Sequence, residues 1–308
     1  MAAGTTGPAR PAAGLFAQPW LLLMLPPLFW SGNFVLGRAV ADAVPPVALA
    51  FWRWALGALI VLPFAWPHLR RDLEVLLAHR WIVLVLSALG IACFNTFVYI
   101  GLADTTALNA VMMQSAMPVL IVAMSFMLFR EPVAPLQGLG IAVSLAGALT
   151  LIARGDPATL AGLRFNTGDL WIIAAVLAYA AYTALLRRRP AVHGLSLLAA
   201  TFTLGAAMLL PVYLAESLGG RPLAVNAVSL GSIAYVAVFP SILAYLCFNR
   251  AVAVIGANRT GLSIHLMPVF GSLLAIGWLG ERPHWFHGVG IALIAAGIAL
   301  ATRRVDHR

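Results

Sequence analysis

Long apolar stretches separated by short polar connections dominate this chain. A bilayer core about 30 Å thick is crossed by a helix of roughly 20 apolar residues, and the sequence contains ten runs of that kind. They lie at about 19–40, 47–67, 81–103, 106–129, 133–153, 168–187, 194–215, 228–249, 257–280 and 284–302. The runs lack the alternating pattern of a membrane β-barrel. We therefore expect an all-α integral membrane protein with ten transmembrane helices.

The composition agrees with this expectation and fixes an orientation. Of the 308 residues 62% are hydrophobic and 9% are charged, whereas soluble domains carry about 25% charged residues. The net charge of +9 comes from arginines that lie near predicted helix ends, with the exception of Arg53. If the N-terminus is cytoplasmic, thirteen of the other arginines fall inside and five outside. By the positive-inside rule we therefore expect both termini in the cytoplasm. Since the rule accounts for the positive net charge, we do not expect nucleic-acid binding.

The N-terminus and the two cysteines add little chemistry. Residues 1–18 form a short polar segment. The apolar run that follows leads directly into further helices, so we expect an uncleaved first helix. Cys93 and Cys247 both fall inside predicted helices and do not form a disulfide framework or a metal cluster. We expect buried thiols and no cofactor.

The chain contains an internal repeat at an offset of 150 residues. Without gaps, residues 99–154 align with 249–304, and the segment around Pro118 matches the segment around Pro268. Each copy holds five predicted helices, and because five is odd the second copy must be inverted in the membrane. Inverted repeats are a recurring plan of secondary transporters. The predicted organisation is a tail at 1–18, a first repeat at 19–154, a connecting loop at 155–167, an inverted repeat at 168–304 and a tail at 305–308.

Each repeat places a proline inside its fourth apolar run. Proline cannot donate a hydrogen bond to the carbonyl four residues earlier, so Pro118 and Pro268 predict helix breaks near the bilayer midplane. Such breaks are tolerated where they face protein or a wet cavity, although a static kink that only improves packing is the alternative. Polar side chains stand beside the breaks, namely Gln114, Ser115, Ser263 and His265. The fourth run of each repeat ends on a glutamate and a proline, as Glu131–Pro132 and as Glu281–Arg282–Pro283, and we interpret both as structural hairpins.

These features together resemble the drug/metabolite transporter superfamily of the EamA type. The resemblance covers about residues 19–304, and the segments "FWSGNFVLGR" and "NAVMMQSAMPVL" are most similar to the bacterial aromatic amino-acid exporters. It implies a carrier of the bacterial inner membrane in which helices 1–4 and 6–9 surround a central cavity and helices 5 and 10 are peripheral. It leaves the oligomeric state open.

Polar and aromatic side chains deep in the predicted helices are the candidates for substrate contact. In the third run Asn95 and Tyr99 share a face, and at the matching positions of the eighth run the order is reversed. A tyrosine near a helix end is alternatively an interfacial anchor. The full candidate set is Trp30, Asn33, Asn95, Tyr99, Gln114, Tyr179, Tyr182, Tyr245, Asn249 and His265.

Arg53 is the charge that lies well inside a predicted helix. It would suit an anionic group, but it is within snorkelling reach of the interface, and the flanking Trp52 and Trp54 are typical of an aromatic belt. We therefore expect a structural role for it. All ten acidic residues fall at helix ends or in loops, which leaves His265 as the titratable group near the midplane. We expect this histidine to be neutral and bonded to a neighbouring helix.

The sequence favours a carrier that exports small amphipathic metabolites by alternating access. Amides that bond carboxylate or amino groups, next to aromatic rings, suit amino acids that include aromatic or hydrophobic ones. Facilitated export is the first mechanism and proton-coupled exchange the second. The alternatives are a drug, sugar or nucleotide-sugar carrier, or an intramembrane enzyme. For an enzyme, His284 and His287 lack a third metal ligand, and no nucleophile motif is present.

Overall fold

The computed structural model describes residues 18–162, 166–279 and 282–302, and these residues form helices and connections without a strand. Four of these helices begin at a proline, which suits the first helical turn because the N–H groups have no partner there. The first half of the chain forms α1 (Pro19–Ala39), α2 (Pro46–Ala78), α3 (Arg80–Leu86), α4 (Phe94–Asp104), α5 (Ala107–Gln114), α6 (Met117–Phe129) and α7 (Pro135–Ile152).

The second half follows a short connecting helix, α8 (Pro157–Ala161). It forms α9 (Thr167–Leu185), α10 (Gly194–Leu218), α11 (Ala227–Ala237), α12 (Ala244–Ile255), α13 (Ala257–Leu262), α14 (Leu266–Leu279) and α15 (Trp285–Thr302). The predicted hairpin at Glu281 lies outside the described residues.

Nine helical segments in the described parts of the chain are long and apolar enough to cross a membrane. The predicted run at 257–280 is divided between α13, a short 3-10 turn and α14, so a total of ten spans stays a prediction. The run predicted at 47–67 was too short, because α2 continues to Ala78 and is 33 residues long. At 1.5 Å per residue it is about 50 Å long, so its polar last turns extend beyond a bilayer core.

The helix contacts repeat between the halves in the way that an inverted repeat requires. The third membrane-spanning segment of the first half ends in α4, which packs along α9. Its counterpart in the second half ends in α12, which packs along α1. In the same way α6 contacts α9, while α14 contacts α1. Two further pairs, α2 with α10 and α7 with α15, join equivalent helices to each other. The core of the molecule therefore lies between the halves, around α1, α4, α9 and α12.

The peripheral pair α7 and α15 packs with its backbones in close approach. A Cβ atom added to Gly140 would lie 2.6 Å from the carbonyl oxygen of Gly297, and one added to Gly147 would lie 2.7 Å from that of Gly290. Only glycine permits this separation, so the small residues of both helices serve helix packing.

The third membrane-spanning segment of each half is interrupted by one π-helical segment. These π-segments span Ser87–Cys93, between α3 and α4, and Val238–Leu243, between α11 and α12. Gly90 and Pro240 lie inside these segments and are 150 residues apart, as the repeat predicts. π-Segments widen the helix and free carbonyl groups, and they occur often at functional sites.

Candidate functional site

A small enclosed cavity lies between the two halves, beside both helix breaks. Its volume of about 10 Å³ is room for no more than one water molecule. A solute of amino-acid size therefore needs the halves to separate. Eight residues line the cavity: Trp30, Asn33, Phe34, Phe94, Gln114, Met117, Tyr179 and Ile264. Four of them were expected from the sequence, and the other four are apolar residues that carry no polar signal to distinguish them from ordinary core.

Two of the lining side chains have a buried polar atom without a hydrogen-bond partner. These atoms are Nε2 of Gln114 and the hydroxyl oxygen of Tyr179. An amide nitrogen only donates, while a tyrosine hydroxyl both donates and accepts. Leaving such a group unpaired costs about 1–3 kcal/mol. Two residues of the cavity wall therefore carry unused hydrogen-bonding groups, and four of the eight lining residues are aromatic.

The two helix breaks contact each other through His265. The first break separates α5 from α6, with Pro118 as the second residue of α6, and the second precedes α14, in which Pro268 is the third residue. Nε2 of His265 lies 2.9 Å from the carbonyl oxygen of Ser115, and Nδ1 lies 2.8 Å from Oγ of Ser144. His265 is fully buried, bonds neighbouring helices as the sequence predicted, and is not part of the cavity lining. It holds the breaks together.

The structure corrects the expectation for Arg53. Its side chain is 0% exposed and points into the protein, so it does not snorkel to the interface. Trp54 is also fully buried and stacks against the guanidinium, whose Cζ lies 4.7 Å from the ring centroid. Trp52 alone of the two tryptophans is exposed. The proposed aromatic belt is therefore wrong, because Arg53 and Trp54 face inwards.

The guanidinium of Arg53 joins both halves of the chain. Nη1 donates to Asn33 Oδ1 at 3.0 Å, to Asn95 Oδ1 at 2.8 Å and to the Tyr99 hydroxyl at 2.7 Å. Nε donates to Ser241 Oγ at 2.6 Å, and Nη2 donates to the carbonyl oxygen of Pro240 at 3.0 Å. Three of the predicted site residues are thus partners of an arginine that the sequence assigned to a structural role.

The π-segments supply acceptors for this network. Besides Nη2 of Arg53, the indole nitrogen of Trp30 donates to the carbonyl oxygen of Pro240 at 3.0 Å. At the π-segment of the first half, the carbonyl oxygen of Gly90 accepts a hydrogen bond from the hydroxyl of Tyr245 at 2.6 Å. A Cβ atom on Gly90 would lie 2.4 Å from the ring of Tyr182, so glycine is required there. The carbonyls that the π-geometry frees are therefore bonded by the site's own aromatic residues and its cation.

Two tyrosine–asparagine hydrogen bonds occupy equivalent positions in the halves. The hydroxyl of Tyr99 donates to Asn33 Oδ1 at 2.7 Å, and the hydroxyl of Tyr182 donates to Asn249 Oδ1 at 2.9 Å. Under the repeat, position 99 corresponds to 249 and position 33 to 182. The sequence indicated the exchange of asparagine and tyrosine along one helix, but the bonds join different helices.

A buried carboxylate lies where α4 ends and α9 begins. Asp169 is 0% exposed and accepts hydrogen bonds from the hydroxyl of Thr105, from the amide of Asn109 and from the backbone N–H of Asn166. As predicted, it lies at a helix end, but its burial could not be predicted from the sequence. No hydrogen bond connects it to Arg53 among the described residues.

Comparisons with known proteins agree with this architecture. The family model described as "EamA-like transporter family" matches residues 19–153 and 166–303. The "Uncharacterized transporter YyaM" of Bacillus subtilis is 28% identical over 92% of this chain and 93% of its own. The "Probable terminal-alkyne amino-acid exporter" of Streptantibioticus cattleyicolor is 25% identical over 92% of each chain. A solved crystal structure with 22% identity has a TM-score of 0.72 and covers 92% of this chain and 96% of that one, which shows the shared fold.

Proposed function

Because this chain belongs to the EamA-like transporter family, we propose that it is a secondary carrier that exports small amphipathic metabolites, above all amino acids with aromatic or hydrophobic side chains. The observation that carries the proposal is the cavity between the halves. Its wall combines aromatic rings with the unpaired polar atoms of Gln114 and Tyr179. Rings contact an apolar side chain, while unused donors bind the carboxylate or carbonyl of the solute. A relative named as a probable amino-acid exporter supports the same class.

Transport proceeds by alternating access around this cavity. The halves are related as inverted repeats, so exchanging their conformations exchanges the side to which the cavity opens. The small volume of the cavity, about 10 Å³, suits a state closed at both ends. Both termini lie in the cytoplasm of a bacterial cell, and the protein is in the inner membrane, in agreement with the arginine distribution.

The solute gradient drives transport. None of the eight residues that line the cavity carries a carboxylate or an imidazole, and His265 is held by Ser115 and Ser144. In liposomes that contain only this protein, uptake should therefore proceed without a pH gradient. Flux that requires a pH gradient and disappears in His265→Asn would reject facilitated transport and make His265 the coupling residue.

The direct test is uptake of a solute panel into these liposomes. We expect aromatic and large aliphatic amino acids to be transported, and Gln114→Leu to lower their initial rate about three- to tenfold, since one hydrogen bond is lost. Leu59 of α2 is 64% exposed on the outer surface, and Leu59→Ala is the matched control with an unchanged rate. Transport of sugars or cationic drugs in place of amino acids would contradict the proposed substrate class.

A further inference from the structure

Arg53 carries a positive charge that no carboxylate of the described chain neutralises. Each of its five hydrogen-bond acceptors is neutral: two amide oxygens, two hydroxyls and one backbone carbonyl. No Asp or Glu oxygen of the described residues lies within 4.0 Å of the guanidinium. The fully buried carboxylate of Asp169 is bonded to Thr105, Asn109 and Asn166 instead. Neutral dipoles solvate a buried cation, but only an anion cancels its charge.

This cation is one side chain away from the cavity. Asn33 lines the cavity, and its Oδ1 accepts from both Arg53 Nη1 and the hydroxyl of Tyr99. Nη1 has two hydrogens for three acceptors, and Nη2 has two hydrogens but a single partner, the carbonyl oxygen of Pro240. A rotation of the Asn33 side chain would therefore free an Nη1 hydrogen for a ligand in the cavity while the bonds to Ser241 and Pro240 remain.

The unpaired groups around the cavity point to the same kind of ligand. Nε2 of Gln114 and the hydroxyl of Tyr179, both on residues that line the cavity, are buried polar groups without a partner, and each can donate. An amide nitrogen cannot accept a hydrogen bond. The site thus combines one cation with unused donors and holds no carboxylate, which suits a ligand that supplies hydrogen-bond acceptors and negative charge.

We propose that Arg53 binds a carboxylate of the transported solute. The carrier then recognises solutes in which a carboxylate stands next to an apolar or aromatic group. The planar guanidinium bonds a carboxylate through two parallel N–H groups. A single arginine, without a second basic side chain in the cavity lining, matches the single charge of a carboxylate better than the double charge of a phosphate. This proposal rests on the proposed carrier function.

The first experiment compares four compounds with the same aromatic group as inhibitors of solute uptake and as ligands that stabilise the purified protein against heating. L-Phenylalanine and 3-phenylpropionate contain the carboxylate, while L-phenylalaninol and phenethylamine lack it. We expect the first pair to bind, and the second pair to bind about tenfold more weakly or less, since a buried charge pair is lost. Equal or tighter binding of the two amines would overturn the role of Arg53 while leaving the carrier function intact.

Variants of α2 test the residue itself. Arg53→Gln and Arg53→Lys should each lower the uptake rate of carboxylates about tenfold or more, the lysine because it lacks the planar fork. Arg70 lies on the same helix, is exposed and packs over Trp66, so Arg70→Gln is the matched control with an unchanged rate. Carboxylate uptake that survives in Arg53→Gln would overturn the proposal. Selective uptake of phenyl phosphate would keep the anion site but replace its ligand.

A third measurement needs no substrate and therefore separates this proposal from the carrier function. Asn33→Asp replaces one amide nitrogen by oxygen and places a carboxylate at the Arg53 guanidinium. We expect this variant to raise the thermal unfolding temperature of the substrate-free protein, because the new carboxylate pairs with the guanidinium in the place proposed for the carboxylate of the solute. The gain in unfolding temperature should disappear when Arg53→Gln is also present. If Asn33→Asp destabilises the protein equally in both backgrounds, Arg53 is not available to an anion and the proposal fails.

Discussion

Two hydrogen bonds that the repeat makes equivalent differ in their surroundings. The bond from Tyr99 to Asn33 is buried and shares its acceptor with Arg53. The bond from Tyr182 to Asn249 is only partly buried, and its neighbouring cation, Arg189, donates to the carbonyl oxygen of Leu186 rather than to this pair. Position 53 has no arginine counterpart about 150 residues later, since residues 202 and 203 are phenylalanine and threonine. The repeat therefore preserves the positions of the bonds, while a cation that donates to the bonded pair is found at Tyr99 and Asn33 alone among the described residues.

The two helix contacts that the repeat makes equivalent, α4 with α9 and α1 with α12, also differ in polarity. The α4–α9 contact brings Gly101 against the backbone of Gly168 and is joined by Asp169. The α1–α12 contact is apolar and is formed by Leu22, Leu23, Cys247 and Ala251. Polar, directional contacts hold the α4–α9 end together, whereas dispersion and burial hold the other. We infer that the α4–α9 end is the more tightly closed one in this structure.

The largest difference is expected in chemical accessibility. On a background with Cys93→Ala and Cys247→Ala, single cysteines replace Tyr99 and Asn249, the equivalent positions. Tyr99 is 3% exposed, whereas Asn249 is partly exposed. A membrane-impermeant thiol reagent should label position 249 much faster, and from the cytoplasmic side. Substrate should change the two rates in opposite directions, because populating one open state depletes the other. Labelling of both positions from the same side would contradict the inverted arrangement.

The next effect comes from making the two helix contacts alike. A Cβ atom on Gly101 would lie 2.8 Å from the carbonyl oxygen of Gly168, so Gly101→Ala should lower the stability by about 1–3 kcal/mol through overpacking. The reverse change at the equivalent position, Ala251→Gly, should cost only about 1 kcal/mol of helix propensity. Thermal unfolding in detergent measures both. A smaller effect at Gly101 than at Ala251 would refute the tighter packing of α4 and α9.

A comparable or smaller loss is expected from Asp169→Asn. The buried carboxylate accepts hydrogen bonds from Thr105, Asn109 and Asn166, and the substitution replaces one of its oxygens by a donor. The free energy of unfolding should fall by about 1–3 kcal/mol. The control is Asp156→Asn, at an exposed helix start where Asp156 caps α8, since asparagine and aspartate cap equally well. Equal unfolding temperatures for the two variants would show that Asp169 does not hold this end closed.

The smallest difference concerns the two tyrosine hydroxyls. Tyr99→Phe removes an acceptor of a charged donor and should cost about 1.5–3 kcal/mol, whereas Tyr182→Phe removes a neutral bond and should cost about 0.5–1.5 kcal/mol. The two unfolding temperatures measure this order directly. The reverse order would mean that Asn33 and Asn95 solvate Arg53 fully without Tyr99.

Local features of the chain were sufficient to predict the helices, the breaks and part of the site. The length of an apolar run and the missing N–H of Pro118 or Pro268 act within a few residues, so they can be read from sequence. Asn95 and Tyr99 were assigned to a common face, and both contact Arg53, because they are four positions apart within α4. The cavity residues Trp30, Asn33, Gln114 and Tyr179 were likewise found from their polarity at depth.

The sequence by itself determined the all-helical membrane class, the repeat and its inversion, because these depend on run length, on residue identity at a fixed offset and on an odd number of helices. Only the tertiary structure decided that Arg53 points inwards, that Tyr182 bonds Asn249 and that His265 joins the two helix breaks. Each of these contacts joins side chains from different helices. Such contacts depend on how each helix is rotated about its axis, and that rotation changes at the π-segments Ser87–Cys93 and Val238–Leu243, which alter the register of every residue that follows.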